Sequence, residues 1–276
     1  MKRLTVKDIK AKKNTTPIVC LTSYSAPFTK IIDEHADLIL VGDSVGMVLY
    51  GMESTLGVSI DMMCNHGKCV VDSSSKSCVV VDMPFGSYQE SKELAFKNAS
   101  EILKRTGCAA VKIEGGTHME ETVSFLTERG IAVMGHIGLQ PQSVNKDGGY
   151  RYHGKTLDER EKIIEDARAL ERAGAFAIVL EGITMSLANE ITLLLSIPTI
   201  GIGASKNCDG QVLVTEDMAG LLGSQVPKFV KLYGNMAEEL ENSVKSYASD
   251  VRLRKFPEKE NCFDIVETVK IKEVIY

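Results

Sequence analysis

Cys78-Val79-Val80-Val81-Asp82, then a helix-patterned segment over 91–105, Gly107, and Ala110-Val111-Lys112-Ile113-Glu114 form the stretch whose reading decides the fold. Each flank is a continuous, largely β-branched apolar run that ends in an acid. Such runs suit a parallel strand covered on both faces. Between them Ala95, Ala99, Ile102 and Leu103 share one helix face, and Gly107 stands just past its end, where a left-handed residue can close a helix. The unit is strand–helix–strand.

Read outward, the same unit recurs. Pro17-Ile18-Val19-Cys20-Leu21-Thr22 and Leu38-Ile39-Leu40-Val41 precede it. Ile131-Ala132-Val133-Met134, Phe176-Ala177-Ile178-Val179-Leu180 and Pro198-Thr199-Ile200-Gly201-Ile202 follow, and Gln211-Val212-Leu213-Val214 is a weaker eighth run. Thr156 and Glu159 have capping-box spacing ahead of the stripe Ile163, Ala167, Leu170, with Gly174 as the stop. About eight alternating units predict an α/β fold, a (β/α)8 TIM barrel. A doubly wound open sheet is the alternative, but no G-x-G-x-x-G follows the first strand. Residues 1–276 read as one barrel domain with an N-terminal lead-in. A mixed-charge helix starts near Met236 and ends by Phe256-Pro257, and a charged tail covers about 257–276.

Composition narrows the function. The chain is 44% hydrophobic and 25% charged with a net charge of −5, which points to neither nucleic acid nor an anionic membrane. The basic run Lys2, Arg3, Lys7, Lys10, Lys12, Lys13 reads as a solvated helix or lead-in. No secretory apolar segment follows it, and the longest apolar runs are strand-length, so no membrane span is expected. The seven cysteines are scattered without C-x-x-C spacing, so neither a zinc site nor a disulfide framework is indicated. A reducing compartment, the cytoplasm, is expected.

Polar residues gather where the runs end: Asp43, Asp82, Glu114, His136 and Glu181. In a barrel these ends share the C-terminal face, where catalytic groups collect. Asp43 and Asp82 could instead cap helices, and His136 could be a hydrogen-bonded rim residue. Glu114 and Glu181 are costly at the end of apolar runs without partners. Acids crowded at one mouth repel one another unless a cation neutralises them. Hard oxygen ligands without a Cys/His cluster point to Mg²⁺, or Mn²⁺. Lys112 alternates with Glu114, so both face one side and the lysine can hold a substrate carboxylate. Gly115-Gly116 and Gly201-Ile202-Gly203-Ala204 look like phosphate-cradling loops, or only tight turns.

Taken in order, these segments resemble the ketopantoate hydroxymethyltransferase family over residues 15 to 257. The motifs are Leu40-Val41-Gly42-Asp43-Ser44 with Gly46-Met47, Ser54-Thr55-Leu56, Asp82-Met83-Pro84-Phe85 and Val111-Lys112-Ile113-Glu114-Gly115-Gly116. Gly135-His136-Ile137-Gly138-Leu139 with Pro141-Gln142-Ser143-Val144, Leu180-Glu181, Ile200-Gly201-Ile202-Gly203-Ala204, Asp209-Gly210-Gln211 and Pro227-Lys228-Phe229 complete the series. The resemblance implies a barrel of the phosphoenolpyruvate/pyruvate type. It further implies transfer of a hydroxymethyl group from 5,10-methylenetetrahydrofolate to 3-methyl-2-oxobutanoate through a Mg²⁺-stabilised enolate, giving 2-dehydropantoate for pantothenate synthesis. By motif, Asp43, Asp82 and Glu114 would surround Mg²⁺. Asp43, Ser44, Asp82 and Lys112 would contact the oxo acid, Glu181 would be the base, and His136 and Tyr24 would line the pocket. The family also implies a homo-oligomer, a decamer of pentameric rings.

Ser25, Ser205 and Glu216 differ from residues usual in the family, and the segment at Asn65-His66 lacks the tyrosine common before that histidine. These departures bear on folate contacts and subunit packing. A lyase or mutase of the phosphoenolpyruvate mutase type would need a lid cysteine, and Cys64 and Cys69 fall in a helix pattern instead. A silent barrel acting as a binding or assembly subunit would be expected to have lost part of the acid set.

Overall fold

The computed structural model describes residues 3–223 and 226–263. Eight strands close a parallel barrel in sequence order: β1 Ile18–Thr22, β2 Leu38–Val41, β3 Cys78–Asp82, β4 Ala110–Glu114, β5 Val133–Gly138, β6 Ala177–Glu181, β7 Thr199–Ile202 and β8 Gly210–Leu213. β8 pairs back onto β1. The expected TIM barrel is therefore the fold, and the weakest of the predicted runs is the strand that closes it.

Within the uniformly apolar runs the pleat sorts side chains by parity. Leu38, Leu40, Cys78, Val80, Ala110, Met134, Ala177 and Val179 fill the barrel interior. Ile39, Val41, Val79, Val81, Val111 and Ile113 pack outward beneath the helices. Each such burial stabilises by about 1.5–3 kcal/mol. The inner parity continues to the strand ends, so Asp82, Lys112, Glu114, His136 and Glu181 sit on the inner side. The register sets Asp82 opposite Lys112, and Glu114 opposite His136.

The fifth strand differs from its expected bounds. It starts at Val133 and runs to Gly138, so His136 lies inside the strand, not after it. Gly135 breaks the apolar run, and this hid the strand's second half. A Cβ there would come within 2.7 Å of Leu170 Cδ1, so the glycine serves helix–strand packing.

Local signals place the helices. Ser91 caps Lys92–Thr106 by accepting from the Leu94 N–H, and Gly107 ends it at φ +75°. Thr156 caps Leu157–Arg172. Its expected capping box is only half formed, because the Glu159 carboxylate accepts from the Lys155 N–H. The basic lead-in closes the barrel's N-terminal end. Ile9, on the helix Val6–Lys10, is fully buried against the interior core. Lys13 Nζ donates to Asp209 Oδ2 at 2.8 Å and to the Thr192 carbonyl at 2.6 Å.

The mixed-charge helix is present as Met236–Arg252 and buries no residue. Of the tail expected over about 257–276, residues 264 onward lie outside the described residues. Among the described residues no helix is long and apolar enough to cross a membrane.

Candidate active site

The C-terminal mouth of the barrel encloses a cavity of about 340 Å³. Asp43, Ser44, Asp82, Lys112, Glu114, His136 and Glu181 all reach its wall from five different strand ends. Neither Asp43 nor Asp82 acts as a cap. The short helix Val45–Val48 has Ser44 at its N-cap position without a side-chain bond. Asp82 Oδ2 accepts from the Asp43 N–H at 3.1 Å and lies 3.1 Å from Lys112 Nζ.

His136 occupies the centre of the cluster. Its Nδ1 is 3.3 Å from Lys112 Nζ and 3.5 Å from Glu114 Oε1, and its Nε2 is 3.1 Å from Glu181 Oε2. The last approach lacks hydrogen-bond alignment, since Nε2 has no hydrogen-bond partner. It is a charge contact, of the kind that tightens when substrate arrives.

Electrostatics follow from this crowding. Burial, then the charges of Asp82 and Glu114, push Asp43 up to about 8. Burial also raises Asp82, although Lys112 offsets part of the effect. Burial alone would lower Lys112, but Asp82, Glu114 and Asp43 outweigh it and keep the ammonium charged. Burial and Lys112 lower His136, while the Glu114 and Glu181 carboxylates raise it further, to about 9. The cluster carries negative charge that its own cations do not fully offset.

The residues present fit a hard divalent cation. Asp82 Oδ1 and Glu114 Oε1 are buried oxygens without a hydrogen-bond partner, and lone pairs in that state are costly. Among the described residues no three His, Cys, Asp or Glu groups stand close enough to hold a metal alone. A Mg²⁺ ion would therefore rest on the two unpartnered carboxylate oxygens and complete its shell with water and substrate oxygens.

Two expectations change. Tyr24 was expected in the pocket lining; it is 2% exposed and sits behind the wall, its hydroxyl 2.7 Å from Ser44 Oγ. Its ring belongs to the apolar core, which left only the hydroxyl to reach forward. The glycine-rich stretches are packing devices. A Cβ on Gly116 would overlap Asp166, and one on Gly203 (φ +58°) would meet Phe229 Cδ1 at 2.9 Å.

One residue whose role sequence reasoning missed is Gln142. Its Nε2 donates to Asp43 Oδ2 at 2.8 Å and to the Met83 carbonyl at 2.9 Å, while its backbone N–H donates to Glu114 Oε2 at 3.0 Å. Tyr88 Oη and Gln89 Nε2 donate to its Oε1 at 2.7 and 3.0 Å. Gln142 thus orients two of the three acids. A glutamine in the short 3-10 turn Pro141–Ser143 carries no local signal for this. Ser205 is buried and donates to Asn189 Oδ1 at 2.6 Å, and Glu216 is buried with Oε2 unpartnered.

Fold and site together define a (β/α)8 barrel with an acid-lined mouth at its C-terminal face. Solved structures agree on the fold. The crystal structure of 2,3-dimethylmalate lyase matches with TM-score 0.57 and 12% identity, covering 90% of this chain and 88% of that one. Phosphonopyruvate hydrolase in complex with oxalate and Mg⁺⁺ matches with TM-score 0.54 and 11% identity, over 94% and 93%. The chain belongs to the ketopantoate hydroxymethyltransferase family, whose model matches residues 3–259. It is 57% identical over 262 residues to the 3-methyl-2-oxobutanoate hydroxymethyltransferase of Rhizobium etli, covering 95% of this chain and 96% of that protein. The Paramagnetospirillum magneticum protein of the same name is 52% identical over 267 residues, 97% of each chain.

Proposed function

We propose that this barrel transfers a hydroxymethyl group from 5,10-methylenetetrahydrofolate to 3-methyl-2-oxobutanoate, yielding 2-dehydropantoate and tetrahydrofolate with water as third reactant. The observation that carries this is the separation of Glu181 from the other acids. Asp43, Asp82 and Glu114 come from β2, β3 and β4 and are tied together by Gln142 and Lys112. Glu181 stands at the end of β6 and touches only His136 within the cluster. A base must be held apart from the groups that bind its substrate's oxygens, or its charge is spent on them.

Lys112 is the fixed positive charge for the carboxylate or the developing enolate oxygen. Glu181 takes the proton from C3, and His136 holds its carboxylate in place. Asp82 and Glu114, with Asp43 alongside, would hold Mg²⁺, which when bound supplies polarisation of the keto group and so acidifies the neighbouring C–H. Water breaks the donor's two C–N bonds, leaving N–H on both nitrogens of tetrahydrofolate and the carbon at the aldehyde level. C3 then bonds to that carbon, and its oxygen takes back the proton that Glu181 removed. The names of the relatives support the substrate and the group transferred. A lyase relying on a lid cysteine is not favoured, because among the described residues no cysteine lines the cavity.

Cytoplasmic location fits five buried free cysteines among the described residues. Self-association, which the resemblance implies as a homodecamer, is favoured in general by the helix Met236–Arg252. Met236, Leu240, Val244, Tyr247 and Val251 form a stripe at helical spacing, each 40 to 58% exposed. Role in pantothenate synthesis follows from the product.

Deuterium exchange at C3 of 3-methyl-2-oxobutanoate, followed by NMR, tests the chemistry. Wild type should exchange with Mg²⁺ and not after chelation, and Glu181→Gln should lose about 10²–10⁴-fold, the usual contribution of a positioned base. Exchange that survives in Glu181→Gln would remove the assigned base. Absent exchange in wild type would remove the reaction.

A further inference from the structure

Once an oxo acid sits against the acids of β2–β4 and Glu181 of β6, the β7–β8 side of the cavity remains free. Its wall is apolar, made by Ile202, Val212, Val214 and Phe229, with one exception, the side chain of Asp217. Every other carboxylate lining the cavity touches a cation, an imidazole or an amide donor. The Asp217 carboxylate has neither an ion pair nor a hydrogen bond among the described residues, and burial raises its pKa. A half-buried carboxylate kept without a partner in an apolar wall is expensive unless a ligand satisfies it.

Its position is fixed. Asp217 lies on the short helix Thr215–Met218 that follows β8. The Thr215 N–H donates to Thr22 Oγ1 at 3.1 Å and its hydroxyl to the Thr22 carbonyl at 2.6 Å, so the segment is pinned to the end of β1. Phe229 rests on Gly203, where any side chain would displace it.

We infer that Asp217 and the apolar wall around it bind the pyrimidine edge of the donor's reduced pterin. The inference rests on the proposed reaction, since that reaction requires a second reactant carrying its carbon on a tetrahydropterin. The 2-amino-4-oxo-pyrimidine presents two adjacent neutral donors, N3–H and the 2-amino group. Their spacing matches a carboxylate fork, in the same two-parallel-bond pattern that binds carboxylate to guanidinium. The apolar side chains cover the ring faces. Cavity volume permits both reactants: a water needs roughly 10–15 Å³ of such space, so about 340 Å³ far exceeds what a five-carbon oxo acid fills.

The test is a double cycle of binding, using tetrahydrofolate and its 2-desamino analogue against wild type and Asp217→Asn by calorimetry with the oxo acid and Mg²⁺ present. Wild type should prefer tetrahydrofolate by roughly tenfold to a hundredfold, the worth of hydrogen bonds to a charged acceptor. Asp217→Asn should bind the two nearly equally, at the analogue's affinity for wild type. If the variant weakens both ligands in equal proportion, Asp217 only supports the wall and the inference falls. Wild type that exchanges the oxo-acid proton yet shows no preference for the amino group fails the inference alone. Wild type that neither exchanges nor binds tetrahydrofolate fails the functional reading and the inference together.

Discussion

Asp33 and Asp43 stand ten residues apart, are 6% and 4% exposed, and respond to burial in opposite ways. Asp33 lies at the N-terminal end of the barrel. It accepts from the backbone N–H groups of Ser75, Lys76 and Ser77 and from the Ser74 hydroxyl, at 2.7 to 3.0 Å. Burial alone would raise its pKa, but these donors overcome it and hold the carboxyl well below the usual range. Asp43, at the opposite end, has one amide donor and two neighbouring acids, and is pushed up to about 8. Asp209, beside Lys13 at the base, follows Asp33: burial is outweighed and its pKa is lowered. Acids at the base are saturated by the protein, whereas those at the mouth have fewer donors than lone pairs, with Asp82 Oδ1 and Glu114 Oε1 unpartnered. The same residue type is a structural anchor at one end and, in the proposed reaction, a ligand-binding group at the other, and the number of donors separates the two.

The largest expected effect is at the mouth. Asp43→Asn should lower hydroxymethyl transfer about a thousandfold, the several kcal/mol that a correctly held cation contributes. In chelator it should also be the more stable protein at pH 8. Asp43 has a raised folded pKa, so wild type without cation loses stability as pH rises from about 4 to about 8; the variant lacks that loss. Paired turnover assays and calorimetry at pH 6 and pH 8.5 check both parts. An active variant, or one less stable in chelator at pH 8.5, breaks the contrast.

Asp33→Ala should do the reverse, costing about 3 kcal/mol in urea unfolding by leaving buried donors unsatisfied, with KM unchanged. Because the folded pKa is depressed, this contribution is fully present above the unfolded value of about 3.9 and fades below it. The gap between wild type and variant should therefore close only in acid. A changed KM would mean the two ends are coupled.

Gln142→Leu should cost about 10–100-fold in turnover, as for residues that orient metal ligands, and about 1–3 kcal/mol in stability, because the buried Tyr88 hydroxyl and Met83 carbonyl lose a partner. Full activity in that variant would leave Asp43 and Glu114 oriented by something else. The smallest effect belongs to Glu216, a mouth-side acid pushed up to about 7 by burial and by Asp217. Its raised folded pKa removes stability as pH rises from about 4.5 to 7, so Glu216→Gln should gain about 1 kcal/mol at pH 8 and nothing near pH 4. Thermal midpoints at the two pH values measure it. A loss at pH 8 would show that the carboxylate has a partner there.

Much of this was legible in order along the chain. Uniformly apolar runs exposed seven strands, because burial on both faces forbids polar interruption. β5 was cut short at Gly135, where tight packing against Leu170 required a residue that hydropathy does not register. The acids at strand ends were legible because a carboxylate closing an apolar run is expensive. Tyr24 was not, since an aromatic after a strand reads the same whether it faces a cavity or the core. Gln142 was silent for a related reason: its part depends wholly on what lies across the mouth.

By itself the sequence determined the barrel and the family, since the alternation of apolar runs with helix patterns and the order of motifs are local properties. Uniformly apolar runs left the inward side of each strand to the closed sheet. Only the tertiary structure decided which acids are satisfied. Asp33 meets its donors 41 to 44 residues later, and Gln142 reaches Asp43 across 99. Closing the barrel brings such groups together, and a buried charge is stabilised or left unpaired by its neighbours in space.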